Sequence, residues 1–453
     1  MFVANIEFFA GSYLLNNTFM PVAGIFYRSL LWRGLFFISA FILNVLFARH
    51  FMASVSGEIF YLISIYSFLI LIMSLSLESS MGYHVSRNEI SVTKLINFCM
   101  VWAIAIAIFV FLFAEIFRNG KSLTAFTFIT VSFISGNVLS NYIAGIFYAK
   151  RNYLLPNIII SGINLILILL LVTSDVFHKN IITDENYILV FFGSFIVQAV
   201  ALVLSMMIKY KVKWSLIFPS AIELRKLFRF GFIALTANVL FFLLCRIDYW
   251  FVKINCSSAE LGNYIQVSKL GQIFFIIPSV LSSVVFPLVA SQRDEDMSVK
   301  FIMLQRILFV LYAACCVVLI LTGNWLFPWV FGRSFTQMYQ PFLFLVPGIL
   351  SLPGLYIFTA HYSGKNKIII NIKGTSLALI VVFFSDMFLI PIYGILAAAG
   401  ISSAGYIIYQ LYVLHKFKKQ FNRPIRDFFL VKASDIKFMR QSLLKDIKSD
   451  NII

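Results

Sequence analysis

The stretch Leu95–Phe117, LINFCMVWAIAIAIFVFLFAEIF, carries one charged residue, Glu115. A helix needs about 20 mainly apolar residues to cross the hydrocarbon core of a bilayer, and this stretch has that length. Comparable apolar runs recur along the whole chain, of which 61% is hydrophobic and 12% charged. So little polar surface is incompatible with a soluble fold of 453 residues. The sequence therefore predicts an all-α integral membrane protein.

Twelve apolar runs are long enough to be transmembrane helices. The predicted spans are Leu31–Ala48, Ile59–Leu77, Leu95–Phe117, Leu123–Tyr148, Leu154–Val172, Tyr187–Ile208, Leu227–Val252, Gly271–Ala290, Ile307–Leu321, Phe342–Phe358, Thr375–Ile390 and Ile395–Val413. An even number of spans places both termini on the same side of the membrane.

The loops between these spans differ in charge. Twenty-eight of the 36 Lys and Arg lie before the first span, in the even-numbered loops or after the last span. The other eight, Lys269 among them, are assigned to the odd-numbered loops. By the positive-inside rule, both termini are predicted to be cytoplasmic. The net charge of +17 then reflects topology and attraction to anionic lipid headgroups, so nucleic acid is not a predicted partner.

The chain also contains an internal repeat. When the first half is shifted by 214 positions, Tyr142, Tyr148 and Asn157 fall on Tyr356, Tyr362 and Asn371. A weaker match upstream, at a different shift, pairs Gly57 with Gly262. Two six-helix repeats of the same orientation imply a pseudo-two-fold axis along the membrane normal, as in transporters built from parallel repeats. The predicted units are an N-terminal segment (1–30), two six-helix bundles (31–213 and 214–415) and a basic tail (416–453).

Ionisable residues are costly in hydrocarbon and usually face a cavity or a partner. Arg246, Asp248 and Lys253 follow the apolar part of the seventh span, where they either line a central cleft, with Asp248 as a candidate for ion coupling, or mark the outer interface. Asp386 lies within the eleventh span and either serves ion coupling or caps a helix that breaks before Pro391.

Several uncharged polar residues also fall within spans. Such side chains either hydrogen-bond between neighbouring helices or converge on a cleft that suits a sugar-rich ligand. The candidates are Asn44, Gln198, Asn238 and Gln266.

Catalytic and cofactor motifs are absent from the sequence. No Gly-rich phosphate loop occurs, the five His and five Cys match no metal or disulfide spacing, and the outer loops are too short for a catalytic site. No enzyme activity, metal or cofactor is therefore predicted.

A set of short motifs resembles the Wzx-type polysaccharide transporters of the multidrug/oligosaccharidyl-lipid/polysaccharide exporter superfamily. The resemblance covers residues 28–420, and each motif is loose while their order is specific. The chain departs from the usual final motif, Gly-x-x-Gly-Ala-Ala, with Gly394-Ile-Leu-Ala-Ala-Ala-Gly400. The motifs are FILNVLFAR (Phe41–Arg49) with Gly57, RIDYW (Arg246–Trp250), AELGNY (Ala259–Tyr264), FGRSF (Phe331–Phe335) and LIPIYG (Leu389–Gly394).

This resemblance implies a V-shaped, twelve-span bundle in the bacterial inner membrane. It also implies flipping of undecaprenyl-diphosphate-linked oligosaccharide, for O-antigen, capsule or exopolysaccharide, from the cytoplasmic to the periplasmic leaflet. Cleft cations, carried over to Arg33, Arg49, Arg246 and Lys253, would hold the diphosphate. A polysaccharide polymerase and a chain-length regulator are the implied protein partners, besides membrane lipids.

Three alternatives remain open. A drug or cation antiporter of the same fold would have deep acids and fewer cleft cations, and a flippase for the peptidoglycan precursor usually has two extra spans. A membrane-bound polymerase or acyltransferase would need a larger outer loop. The numbers of acidic and basic residues in the central cleft distinguish the antiporter from the flippase.

Overall fold

The computed structural model describes residues 22–116, 123–177, 183–212, 217–278, 294–365 and 367–428, and in these ranges it contains helices and no strand. The long helices are α1 (Val22–Ser74), α2 (Leu77–Ser86), α3 (Val92–Ile116), α4 (Leu123–Ala149), α5 (Leu154–Phe177), α6 (Asp184–Lys209), α7 (Ala221–Arg246), α8 (Asp248–Asn255), α9 (Ser258–Ile273), α10 (Asp294–Phe331), α11 (Tyr339–Gly364) and α12 (Ile368–Phe421). Short 3-10 helices occupy Arg333–Met338 and Ile425–Phe428.

Two of these helices are each long enough to cross a membrane twice. α1 bends at Met52, whose φ of 58° is left-handed, and α12 bends at Gly394, where φ is also 58°. Their apolar parts of 44 and 54 residues are about twice the length of a single crossing. In the described ranges, nine helical segments are long and apolar enough to cross a membrane, and two of them, in α1 and α12, are each long enough for two crossings.

Helices of the first half pack mainly on one another, and so do those of the second half. α4 contacts α2, α3 and α6, and α1 contacts α5, whereas α12 contacts α7, α8 and α11. The predicted boundary between the bundles, at 213/214, lies outside the described residues. α1 begins at Val22 and α12 continues to Phe421, so parts of the predicted terminal segments are helical.

Alternating helix directions place the basic loops on one side of the bundle, here called the basic side. It carries Arg33, the turn after α2, the turn between α4 and α5 and the end of α12. The bends at Met52 and Gly394 and the turn before α9 lie on the opposite side.

The two halves meet closely on the opposite side at a pair of glycines. A Cβ on Gly57 would lie 2.6 Å from the amide nitrogen of Gly262, and a Cβ on Gly262 would lie 1.9 Å from the carbonyl oxygen of Ala53. These are the two glycines that the sequence repeat pairs. Equivalent residues contact each other when a two-fold axis passes between them, so their contact agrees with the predicted parallel repeat.

One predicted span boundary is wrong by more than a helical turn. The eighth span begins at Ser258, because Ser257 and Glu260 form a capping box that satisfies the first free amides of α9. The apolar run alone placed the start at Gly271. The earlier start moves Lys269 from an outer loop, where the sequence analysis assigned it, into the body of the helix.

Candidate functional site

A cavity of about 540 Å³ lies between the two halves of the bundle. This volume is in the range of small-molecule sites. Its lining extends from Phe47 and Phe60, in the part of the bundle near the glycine contact, to Arg33, Tyr148 and Asn157 at the basic side. α1, α4, α5 and α6 form the first-half wall, and α7 and α9, together with Ile276 shortly after α9, form the second-half wall.

Lys269 is a cation of this cavity that sequence reasoning missed. Its Nζ donates a hydrogen bond of 2.6 Å to Oδ1 of Asn44 and lies 3.0 Å from the ring centroid of Phe60. No carboxylate of the described residues forms a salt bridge with it. The capping box at Ser257 and Glu260 is the sequence signal that would have placed this lysine inside the span.

Arg246 and Arg33 are the other cations of the cavity, and both were predicted. Arg246 is buried at the end of α7, where its guanidinium donates to Oε1 of Gln272 at 2.9 Å and lies 5.3 Å from the ring of Tyr249. Arg33 lies near the basic side, 5.0 Å from the ring of Tyr148. Rings and amides stabilise these cations without neutralising them.

Among the lining residues that the structure describes, three side chains are basic and none is acidic. Coulomb interactions are stronger at a site partly shielded from water than at an exposed surface. Such a cavity favours an anionic ligand and disfavours a cationic one.

The structure places the other two predicted cations outside the cavity, on the opposite side of the bundle. Lys253 forms an ion pair with Glu58, which joins α8 to α1. Arg49 donates to the carbonyl oxygen of Trp329 at 3.5 Å. Both side chains thus lie at contacts between the halves.

The four predicted polar residues divide in the same way. Asn44 and Gln198 line the cavity. Gln266 is buried and accepts a hydrogen bond of 2.9 Å from Asn44, so it supports the lining from behind. Asn238 donates to Ser76 at 3.1 Å and joins α7 to the break between α1 and α2.

The two candidate coupling acids are buried in the second half and are not among the described lining residues, although Asp248 lies near enough to Arg246 to interact with it electrostatically. Asp248 lies at the junction of α7 and α8, where it accepts hydrogen bonds from the hydroxyls of Tyr264 and Ser402 and from the amide of Tyr249. Asp386 is fully buried in α12, and neither carboxylate oxygen has a hydrogen-bond partner among the described residues. The two carboxylates are near enough to interact electrostatically.

Comparison with known proteins gives matches in fold alone. No family model matches the chain, and no curated protein matches it in sequence. The lipid II flippase MurJ, in an inward closed conformation, matches with a TM-score of 0.66 at 16% identity, over 88% of this chain and 89% of that one. The chain has the fold of a membrane transporter.

Two further structures support this result. A mutant of the Vibrio cholerae MATE transporter VcmN matches with a TM-score of 0.62 at 12% identity, over 90% of this chain and 98% of that one. A MOP superfamily transporter from Pyrococcus furiosus, whose binding pocket is described as having reverse polarity, matches with a TM-score of 0.61 at 11% identity. That match covers 88% of this chain and 94% of the other. These neighbours are transporters, and the all-α fold predicted from the sequence is confirmed.

Proposed function

We propose that the protein flips an oligosaccharide linked through a diphosphate to undecaprenol. The observation that carries this proposal is the cavity with Arg33, Arg246 and Lys269 and no acid among its described lining residues. A sugar diphosphate cannot cross hydrocarbon unaided, because its charges and hydroxyls lose their hydration. Fixed cations and amides in the cavity replace that hydration while the polyprenyl chain stays in the lipid.

The direction of transport follows from the topology that we infer. The basic side is the cytoplasmic side by the positive-inside rule, and the cavity extends to that side. The glycine contact and the ion pair between Lys253 and Glu58 hold the halves together on the opposite side. The state described is thus suited to loading substrate from the cytoplasmic leaflet of the bacterial inner membrane.

The buried acids suggest what drives the cycle. Asp386 occupies a place where a carboxylate without a partner is unfavourable, and Asp248 lies close to it. Binding of a proton or a metal cation at this pair would favour one arrangement of α7, α8 and α12 over another. A ligand shifts a conformational equilibrium by its differential affinity for the two states, so this pair is the proposed coupling site.

Flippases and multidrug transporters share this fold, so the fold does not decide between the two functions. The charge of the cavity lining does. The cations of the cavity repel a cationic drug and attract a diphosphate. We assign the substrate to the repeat units of O-antigen, capsule or exopolysaccharide, which a polymerase and a chain-length regulator would then extend on the far side of the membrane.

The test is deletion of the gene followed by complementation. In the deletion strain, we expect gels to show no surface polysaccharide. We also expect diphosphate-linked repeat units to accumulate on the cytoplasmic side of the inner membrane. Wild-type protein and Lys209→Met, which alters an exposed lysine at the end of α6, should restore the polymer. Lys269→Met should fail to restore the polymer, although the variant protein is present in the membrane.

Two results would contradict the proposal. Unchanged polymer together with increased sensitivity to cationic drugs would identify an antiporter on the same scaffold. Full complementation by Lys269→Met would remove the cationic cavity from the mechanism.

A further inference from the structure

The first half of the bundle contains a buried acid, Glu78, that has no part in the proposed transport mechanism. It lies in the first turn of α2 and is 4% exposed. One of its carboxylate oxygens, Oε2, has no hydrogen-bond partner among the described residues. A charged group that is buried without full pairing is unfavourable, whereas a carboxyl that has taken up a proton carries no charge.

Glu78 lies directly after a break in the helix. Leu75 and Ser76 separate α1 from α2, and both have a left-handed φ of 50°. The carboxyl of Glu78 contacts the side chain of Ser74 on the α1 side of the break and its own backbone amide on the α2 side. It therefore joins the two ends of the break, and a change in its charge acts directly on the conformation there.

The break is also a place where the two halves of the bundle touch. A Cβ on Gly231 of α7 would lie 2.8 Å from the carbonyl oxygen of Leu75. Asn238, two turns further along α7, donates to Oγ of Ser76 at 3.1 Å. The conformation of the break thus affects the contact between the halves on the side to which α2 leads, which is the basic side.

The helices packed around Glu78 present no charged partner. No salt bridge of the described residues includes Glu78. α4 presents Tyr142, whose hydroxyl donates to the last carbonyl oxygen of α1 at 2.8 Å, and α3 presents Cys99 beside that tyrosine. α7 presents Gly231 and Asn238 at the break, and neither residue titrates.

The basic groups of α2 and its neighbours contact other acids. His84, near the end of α2, contacts Glu89 at 2.6 Å. Lys94 of α3 forms a salt bridge of 3.0 Å with Glu223 of α7. These pairs leave Glu78 without a protein cation to neutralise it.

A proton fits this position better than a metal ion. A metal cation needs several oxygen ligands, and the described residues contain no group of three acids, histidines or cysteines that could hold one. The carbonyl oxygens around the break also accept hydrogen bonds already, namely those of Leu71, Ile72, Met73, Ser74 and Ser76.

We propose that Glu78 is a proton-binding site of the first half, separate from the acid pair Asp248 and Asp386 in the second half. Water on the basic side supplies the proton, which the carboxylate takes up at Oε2 and which cancels its negative charge. With the proton bound, the break stays buried against α4 and α7. Loss of the proton leaves a carboxylate without a counter-charge, which favours an arrangement in which water reaches the break. The site therefore links the proton concentration on the basic side to the contact between the halves there.

Infrared spectroscopy of the full-length protein in lipid nanodiscs tests whether this carboxyl holds a proton. A protonated carboxylic acid has a carbonyl stretching band that an ionised carboxylate lacks. Glu78→Gln should remove part of this band at neutral pH, and Glu78→Asp should shift that part. Glu185→Gln, at an exposed residue near the start of α6, is the matched control and should leave the band unchanged. An unchanged band in Glu78→Gln, or an unshifted band in Glu78→Asp should the first variant not fold, would overturn the proposal.

The pH dependence of thermal unfolding is a second measurement of the same proton. A carboxyl that holds a proton in the folded protein and releases it on unfolding makes the protein less stable as the pH rises. The unfolding temperature of the wild type should therefore fall from about pH 5 to about pH 7. It should fall less in Glu78→Gln, because an amide does not titrate. An equal fall in both proteins would show that Glu78 holds no proton.

Flipping in proteoliposomes separates a role in transport from a structural role. With a fluorescent polyprenyl-diphosphate-linked sugar as the probe, the flipping rate of the wild type should change with the pH on the basic side. Glu78→Gln should lose this dependence, and Glu185→Gln should keep it. Loss of the infrared band without a change in the pH dependence of flipping would contradict the link to transport. Because the infrared and unfolding measurements need no substrate, the proton site and the proposed flippase function can fail independently.

Discussion

At the scale of single residues, the two buried acids have opposite environments. Asp248 accepts hydrogen bonds from Tyr264, Ser402 and the amide of Tyr249. Asp386, in contrast, has no hydrogen-bond partner among the described residues although it is fully buried. A group that lowers stability where it lies is retained for function more readily than for structure. Asp386 is therefore the better candidate for the group that binds the coupling ion.

We predict that Asp386→Leu stabilises the protein and stops ion-driven transport. Removal of an unsatisfied buried polar group should raise the free energy of unfolding, by on the order of 1–3 kcal/mol. The same change removes the proposed ion-binding carboxylate. Thermal unfolding in detergent and flipping of a lipid-linked sugar in proteoliposomes with an imposed ion gradient measure the two effects.

Asp248→Leu serves as the matched comparison. It should lower stability, because three donors then lose their acceptor in a buried place. An Asp386→Leu protein that is less stable than the wild type, or that still responds to the ion gradient, would show that Asp386 has a structural role.

Sequence reasoning reached some of these residues and not others. Arg33, Arg246 and Asn44 were predicted as cleft residues and line the cavity, because charge or amide within an apolar run is visible in the sequence. Lys253 shares the charge and the neighbourhood of Arg246, yet it pairs with Glu58, which lies 195 positions earlier in the chain. Such a distant partner is invisible to a local pattern.

At the scale of helices, the contact between α1 and α9 depends on small residues. The backbones approach closely at Gly57 and Gly262, and a side chain at either position would overlap backbone atoms of the other half. Helices in lipid associate through such close packing, because there is no hydrophobic driving force between them. The glycine pair therefore controls how tightly the opposite side can close.

We predict that Gly262→Ala lowers stability and that Gly162→Ala does not. The Cβ of the first variant would lie 1.9 Å from the carbonyl oxygen of Ala53, so one helix must shift, at a cost of roughly 1–3 kcal/mol. Apart from the adjacent backbone of α5 itself, no described atom lies within 4 Å of a Cβ at Gly162, where alanine also favours the helix. Thermal unfolding of the two variants under the same conditions provides the comparison, and equal unfolding temperatures would exclude a tight contact at Gly262.

Helix boundaries explain the main error of the sequence analysis. Hydropathy locates the apolar centre of a span, but the start of α9 is set by the capping box at Ser257 and Glu260, which lies in a polar segment. The thirteen residues from Ser258 to Leu270 decide whether Lys269 belongs to a loop or to the cavity. Capping signals should therefore be read together with hydropathy when cleft residues are assigned.

At the scale of the whole molecule, the fold could be predicted from the sequence. The conformational state, that is, which side of the bundle is closed, could not. The all-α membrane fold follows from apolar runs of sufficient length, and the parallel repeat was predicted mainly from pairs such as Tyr142 with Tyr356. The closed side depends on a balance between two arrangements of the same halves, which no local pattern encodes. The structure supplies that information through the contacts of Ala53, Gly262 and Ser334 on the side opposite the basic loops.

We predict that a disulfide between the halves on this side arrests transport. The amide of Ala53 donates to Oγ of Ser334 at 3.0 Å, so the two residues contact each other between the halves, and a cysteine pair at these positions tests this contact. In a protein whose five native cysteines are replaced by alanine, oxidised Ala53→Cys/Ser334→Cys should not flip substrate in proteoliposomes, and a reductant should restore flipping. The single Ala53→Cys variant under the same oxidant is the control. Full activity of the bridged protein would mean that this contact does not open during the cycle, and alternating access would then require a different moving interface.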